Sequence, residues 1–383
     1  MGSAKGRGPG LARGAWDRFT DDSEQAARLL TEARAQRGAS LWSDAWRRLR
    51  GDKTAFRALL FLGAFVLLSF TAPLLPLRSP VATDLDTKAI PPAIEAGDHG
   101  FLADVNPALP IGRTEVERAY WELSSLDHAM VRTRLAVFGR WQTGRWLGTD
   151  HLGRDLLARV IWGSRTSILV ALIATLCSLV IGVLYGATSG LLGGRVDNLM
   201  MRVVDVLYSI PFIFLVIFLI TLVGDYRSEL EEGYGIDRET IFYAVIGAVY
   251  WLTMARVVRG QVLALRHTEF IEASRVLGAS TLRILLTHIV PNVLGVVIVY
   301  LTLTIPAVML FEAFLSFLGL GIEPPKVSWG LLAADSTALI NPLRIFWWLV
   351  LFPALAMGST LLALNLVGDG LRDALDPKLR GSR

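Results

Sequence analysis

Six uncharged and predominantly apolar runs interrupt an otherwise charged chain: Ala58 to Leu77, Thr166 to Leu192, Val206 to Gly224, Thr240 to Ala255, Ile289 to Phe311 and Ile345 to Gly368. A helix needs about 20 such residues to cross roughly 30 Å of hydrocarbon. The pattern therefore predicts an all-α integral membrane protein with six transmembrane helices. The fourth run has only sixteen residues and requires Arg256 or Arg259 to snorkel at its end. Basic residues beside the short connections set the orientation. Arg256, Arg259, Arg266, Arg275 and Arg283 lie between the fourth and fifth runs, and Arg372, Lys378, Arg380 and Arg383 follow the sixth. The positive-inside rule puts both segments, and with six spans both termini, in the cytoplasm. The acidic connection from Asp225 to Glu239 fits the opposite side.

Residues 1–39 mix Gly, Ala, Arg, Asp and Glu without a sustained apolar stripe. They predict a mobile cytoplasmic tail, and no secretory signal of ordinary length is expected. Over 40–57 the pattern changes, with Trp42, Trp46 and Leu49 at helical spacing beside Arg47, Arg48 and Arg50. This predicts an interfacial amphipathic helix, tryptophans in the headgroup layer and arginines toward anionic lipid; docking on another subunit is the alternative. Residues 78–165 form the large extramembrane region, containing Pro80, Pro91, Pro92, Pro107 and Pro110. Val116, Ala119, Tyr120, Leu123 and Leu126 suggest a helix over Thr114–Arg134, hence a small, partly helical outer lobe. Leu152, Leu156 and Val160 recur at spacing four and predict a further interfacial helix on the outer face.

Composition agrees with a membrane location. The 383 residues are 53% hydrophobic and 19% charged, with a mean hydropathy of +0.48, well above a soluble domain. A net charge of +4 gives no basic excess that would call for nucleic acid. The single cysteine, Cys177, excludes an intrachain disulfide framework and a cysteine-cluster metal site. No phosphate-binding G-x-x-x-x-G-K-[ST] occurs; Gly51-Asp52-Lys53-Thr54 lacks the earlier glycine. H-E-x-x-H and G-x-S-x-G are absent, and Leu366-Val367-Gly368-Asp369 lacks the first glycine of a G-x-G-D site. All five histidines fall outside the uncharged runs. No catalytic or metal-ligating residue is therefore expected, which disfavours an intramembrane enzyme. A self-sufficient secondary transporter predicts midplane charges or paired broken repeats, and neither is seen.

Asp205 and Glu312 border the hydrocarbon. Glu312 lies 23 residues beyond Ile289, about 35 Å along a helix, which places it near the outer interface; Asp205 has Arg202 three residues before it. Each is either a snorkelled or helix-paired group or one lining a path. Pro211 and Pro306 could kink their helices and shape a cavity. Asp205, Pro211, Glu312 and Ser316 are the candidate path or gate residues.

Thr268–Pro291 reads T-E-F-I-E-A-S-R-V-L-G-A-S-T-L-R-I-L-L-T-H-I-V-P, too polar to span. Thr268 suits an N-cap, Glu269 and Glu272 sit where the helix dipole favours them, and Gly278 can stop the helix at positive φ. Ser280 can cap a second short helix running to Pro291, where the fifth span begins. Two short helices joined at a glycine make a cytoplasmic knob suited to a groove on a partner; an interfacial loop with no partner is the other reading.

Glu272-Ala273-Ser274, with Gly278 six residues after the glutamate and Pro291 thirteen after the glycine, resembles the E-A-A…G…I-x-L-P loop of ABC importer permeases. Ser274, His288 and Val290 depart from the general pattern, but H-I-x-P-N is similar to its peptide-permease version. Leu147-Gly148-Thr149-Asp150, Gly153-Arg154-Asp155, Arg159, Gly163 and Arg165 resemble the segment preceding the second span in dipeptide, oligopeptide and nickel permeases. Phe314–Gly321, Ser328-Trp329-Gly330 and the run from Gly368 to Arg380 are most similar to the C-type permease subunit of oligopeptide transporters. The outer lobe is longer than in that subunit.

The resemblance implies a type I ABC importer permease fold over 166–368, with spans near 166–192, 200–224, 240–259, 289–314 and 345–368 after a first span at 58–77. Residues 260–288 form the coupling loop, and 369–383 a cytoplasmic tail. It marks Glu272, Ala273 and Gly278, flanked by Glu269, Ser274 and Ala279, as the contact with an ATP-hydrolysing subunit. Gly148, Thr149, Asp150, Gly153, Arg154, Asp155, Arg159 and Arg165 become a periplasmic-side motif, either a brace for the second span or a contact with a substrate-delivering protein. The implied function is one half of a path importing peptides, oligopeptides foremost, across a bacterial inner membrane; dipeptides, nickel or another small solute are the alternatives. The implied partners are a second homologous permease, two ATP-binding subunits and a periplasmic or lipid-anchored peptide-binding protein. ATP and Mg are bound by those subunits, leaving this chain without a cofactor or an ATPase site.

Overall fold

The computed structural model describes residues 41–99, 116, 120–121, 123–234, 238–337 and 345–375. The predicted tail over 1–39 and the end of the other tail, with Lys378, Arg380 and Arg383, lie outside the described residues. All regular elements among the described residues are helical, apart from two isolated β-bridges. Among the described residues five helices are long and apolar enough to cross a membrane, and a sixth crossing would require a pair of helices bent by 89°.

The first two elements end earlier than the apolar pattern alone predicts, and the first span also begins earlier. Helix α1, Leu41–Gly51, stops at Gly51, so 52–57 do not continue it. Asp52 accepts from the backbone N–H groups of Thr54 and Ala55 and caps α2, Lys53–Phe70. The first span thus starts five residues before the uncharged run. Pro73 and Pro76 follow its end at Thr71, where residues without an N–H cannot extend a helix. Ala45 and Leu49 of α1 pack on Ala374 at the far end of the chain, so the amphipathic helix is docked within the molecule.

In the lobe, α3 occupies Ser125–Phe138, starting later than Thr114. Ser124 supplies the reason, because its hydroxyl accepts from Asp127 N–H and donates to the Asp127 carboxylate. Most of 114–122 lies outside the described residues. The separate interfacial helix predicted around Leu152–Val160 is absent: Asp155 caps α4, Leu156–Leu192, through Ala158 N–H at 2.7 Å. Brace and span are one continuous rod of 37 residues.

The predicted third span is broken. Helix α5, Gly194–Ser209, and α6, Phe212–Gly224, meet at 89° across Ile210-Pro211. Pro211 enters this break as the residue before α6, and because it has no backbone N–H it could not have continued the hydrogen bonds of α5. After α7, Arg227–Tyr234, helix α8 runs from Arg238 to Leu265. It packs along α4 on a face of Gly182, Gly186 and Gly190. A side chain at Gly186 would put its Cβ 2.3 Å from the Ala255 carbonyl oxygen, and such small-residue stripes let membrane helices approach closely.

Helix α9, Glu269–Val276, is separate, whereas α10, Thr281–Ile284, flows through a π turn at Leu285–Ile289 into α11, Val290–Phe317. The second knob helix is therefore the first turns of the fifth span rather than a free element. The wider turn accommodates the Pro291 ring, which in a regular α-helix meets the carbonyl four residues earlier. A short buried helix, α12, Trp329–Thr337, precedes α13, Trp347–Leu375. The latter carries the last span seven residues beyond the predicted end at Gly368. The main core joins α4, α8, α11, α12 and α13 around Ile246, Leu315 and Trp329, and a second cluster lies beneath the knob.

Candidate functional site

The knob is anchored from below and bare above. Ile271, Ile284, Leu285 and Ile289 are buried against Val183, Ala187, Val258 and Val262. Glu269, Glu272, Ala273, Arg275 and Gly278 are exposed, as are Val276 (88%) and Leu277 (86%). Helix α9 ends in two bonds, Ala279 N–H to Ser274 O at 3.0 Å and Gly278 N–H to Arg275 O at 2.9 Å. This is the Schellman arrangement, which needs positive φ at its penultimate residue; Gly278 has φ +82°. Thr268 occupies the N-cap position, but its hydroxyl donates backwards to Leu265 O at 2.6 Å rather than capping. Ser274 bonds Phe270 O and lies 3.4 Å from His288 Nε2. Ser280 accepts from Arg283 N–H, as predicted.

At the other end, the G-T-D…G-R-D…R segment folds into a closed ion network. Asp150 Oδ2 receives Arg154 Nε at 2.7 Å and also Arg159 Nη1, while Asp335 on α12 receives both arginines at 3.2 and 3.1 Å. Oδ1 of Asp150 accepts the backbone N–H groups of Leu152 and Arg154. Burial opposes ionisation of Asp150, yet the two guanidiniums and these hydrogen bonds hold its carboxyl below the usual carboxylate range. Thr149 joins the segment to Thr87 O and Ile90 N–H, and its own carbonyl accepts from Trp348 Nε1. Asp155 has one oxygen on the α4 cap and the other without a partner; burial pushes its carboxyl up to about 6. Gly148 and Gly153 both adopt positive φ in the turns between these residues. Arg165 grips Asp127 of α3 with two bonds, 2.7 and 2.9 Å. Thr149, Asp150, Asp155 and Arg159 are at most 3% exposed, a geometry that braces the second span.

Glu312 is also buried, within the fifth span rather than at a surface. Its carboxyl meets Ser316 Oγ at 2.8 Å and Ser167 Oγ at 3.0 Å, with no salt bridge among the described residues. Ser316 in turn accepts Ile322 N–H. Glu312 and Ser316 are at most 1% exposed, and with Ser167 and Ser328 they fasten α11, α4 and the α12 entrance.

Asp205 differs. Its partner is Arg256 of α8, at 2.7 Å, rather than Arg202, and both side chains are exposed, 63% and 41%. Arg259 pairs in parallel with Asp197, 2.5 and 2.6 Å, and Ser189 donates to the same carboxylate at 2.5 Å. The two arginines therefore tie α8 to α5 instead of snorkelling from a helix end. The expected path residues separate into two pairs, Glu312 with Ser316 in the interior and Asp205 near Pro211 at the bend. Asp335 and Asp197 were missed by sequence reasoning, and Arg256 was read only as a snorkelling or orientation-setting base; Asp335 carried a signal, a lone acid in Leu331-Leu332-Ala333-Ala334-Asp335. Among the described residues no group of three potential ligands could hold a metal.

These features define a polytopic helical membrane protein with a projecting, glycine-jointed knob. Residues 178–381 match the family described as "Binding-protein-dependent transport system inner membrane component", and 40–92 match the "N-terminal TM domain of oligopeptide transport permease C". The chain is 41% identical over 343 residues to the Oligopeptide transport system permease protein OppC of Escherichia coli, covering 90% of this chain and 93% of that one. It is 38% identical to OppC of Haemophilus influenzae over 94% of this chain and 96% of the relative. Against the Dipeptide transport system permease protein DppC of Bacillus subtilis it is 37% identical over 89% and 87%. A solved inward-facing MetNI methionine ABC transporter aligns with 58% of this chain and 96% of its own at TM-score 0.41 and 16% identity. On the family and relatives, the chain belongs to the binding-protein-dependent transport system inner membrane components.

Proposed function

We propose that this chain is the permease subunit of an ATP-driven ABC importer and forms half of a path for peptides, oligopeptides foremost, across a bacterial inner membrane. The observation that carries the proposal is the knob. Its Schellman-terminated helix exposes Val276 and Leu277 while its base is fixed in the core, as a contact that transmits force requires. Relatives named for oligopeptide and dipeptide transport, at 37–41% identity, support peptide as the cargo. Dipeptides, nickel or another small solute remain the second reading of cargo.

In this reading the knob and both termini are cytoplasmic, and 78–155 form a periplasmic lobe. Glu269, Glu272, Ala273, Ser274, Gly278 and Ala279 seat in a groove of the ATP-binding subunit. ATP and Mg reside there, and hydrolysis is performed there rather than by this chain. A second homologous permease completes the path, because six helices with few polar residues in the hydrocarbon cannot enclose a hydrated peptide. A periplasmic or lipid-anchored binding protein delivers the cargo. Mild-detergent purification should recover a second permease and two ATPases, and the assembly should import peptide only with ATP. This chain reconstituted alone should not; peptide moving down its gradient through it would refute the half-path.

A further inference from the structure

The bend between α5 and α6 brings charge, a ring and a cavity together on an unfilled face. Arg256 bonds Asp205 at 2.7 Å and stacks over the Tyr208 ring, 4.1 Å from its centre. The Tyr208 hydroxyl pairs with Thr253 at 2.8 Å. The remaining N–H groups of Arg256 have no acceptor among the described residues. Tyr208 and Thr253 also line a cavity of about 320 Å³ walled by Leu207, Leu215, Val249 and Tyr250. On its other side Asp205 lines an open groove of about 630 Å³ with Asn198, Arg202 and Ser209. A charged pair this exposed is costly to turn toward lipid and is suited to hydrated space. A guanidinium oriented by one carboxylate and a ring, with N–H groups to spare, is a preorganised fork for a second carboxylate.

We propose that Arg256, positioned by Asp205 and Tyr208, receives the C-terminal carboxylate of a peptide in transit, and that the adjoining cavity takes its last side chain, favouring large apolar residues. The assignment rests on the peptide-import reading and adds a residue and a selectivity to it. Asp205 offsets the charge of Arg256, so a bound carboxylate is held weakly enough to leave.

The test uses the assembled importer, with its ATPases, second permease and binding protein, in ATP-loaded vesicles. Uptake is measured for Ala-Ala-Phe as the free acid, Ala-Ala-Phe as the C-terminal amide, and Ala-Ala-Ala. Selection by the binding protein is common to all variants, so only a change in ratio counts. Arg256→Gln should lower the acid-to-amide ratio of uptake about tenfold, the scale of one charged hydrogen bond. Arg256→Lys keeps the charge and its pair but loses the fork, and the ratio should fall severalfold. Val249→Trp should fill the cavity and erase the preference for Phe over Ala. The exchange Asp205→Arg with Arg256→Asp restores a pair in reverse and should not restore acid uptake. An acid-to-amide ratio unchanged in Arg256→Gln or Arg256→Lys, or recovered in the exchange, overturns the assignment alone. A wild-type importer that takes up none of the three peptides overturns the import reading and this assignment with it.

Discussion

Asp150, Arg154, Arg159 and Asp335 at the lobe end and Glu269, Glu272, Arg275 and Arg283 at the knob end are both quartets of two acids and two arginines. The first quartet is nearly dry and mutually bonded, only Asp335 reaching 25% exposure. The second is exposed, and its members make no salt bridge among the described residues. In the lobe quartet each charge depends on the others, because two acids balance two arginines and removing one leaves the buried network with an uncompensated charge. In the knob each charge is independent and is free to meet a second molecule. Identical chemistry thus serves cohesion at one end and contact at the other, and burial decides which.

The largest effect should come from breaking the dry quartet. Arg159→Ala leaves Asp150 and Asp335 short of a partner and should cost about 3–5 kcal/mol, as for other broken buried pairs. The expected outcome is loss of the protein from the membrane, measured against Arg283→Ala on the knob, which should leave its level unchanged. Equal membrane levels for the two variants would erase the contrast.

Two carboxylates of one motif should then titrate in opposite senses. Asp150 is held low in the fold, so its contribution is present above the ordinary carboxylate pKa and lost as pH falls through the folded value. Asp155 is raised from 3.8 to about 6, so the folded protein binds its proton more tightly than the unfolded chain. Stability therefore falls as pH rises from about 4 to 6. The shift corresponds to about 3 kcal/mol as an upper bound. Asp155→Asn retains a good cap and should flatten that part of the curve. Melting temperatures in detergent between pH 4 and 7 would show it, and parallel curves for wild type and variant would count against the buried acid.

These contrasts were only partly legible in the chain. The knob was readable because its signals are local: Gly278 stops a helix wherever the chain goes, and Ser280, two residues on, caps the next one. The G-T-D…G-R-D motif was visible as a pattern, but its burial was not, since Asp335 lies 176 residues from Arg159 in sequence. Residue count placed Glu312 at the far end of a helix without saying which way it points. Ser167, 145 residues away, decides that. Pro211 announced a kink, whereas the 89° bend depends on α5 being pinned to α8 by Asp197 and Arg259. Helix α12 was missed because nine residues inside a connection carry too little periodicity.

Gly278→Val separates strain from packing, since a Cβ there meets nothing within 4 Å. The whole cost is the positive φ, about 1–3 kcal/mol, concentrated at the joint between α9 and α10. Membrane level should be normal, with ATPase association and peptide uptake reduced. Wild-type uptake by this variant would detach the knob from coupling.

The smallest effect should come from Glu272→Lys, which replaces a favourable first-turn acid by a base and should cost the helix about 0.3–1 kcal/mol. Glu272 is exposed and touches no buried charge, so the fold should be unaffected and any functional change must arise across an interface. If the ATPase presents a cation to it, wild-type association should weaken with added salt as screening shortens the reach of the pair. The variant should associate less at low salt and depend on salt less steeply. Equal salt slopes would show that Glu272 faces no charge on the partner. The exposed Val276 and Leu277 would then carry the contact by apolar burial, and Leu277→Asp would become the sharper probe of the knob.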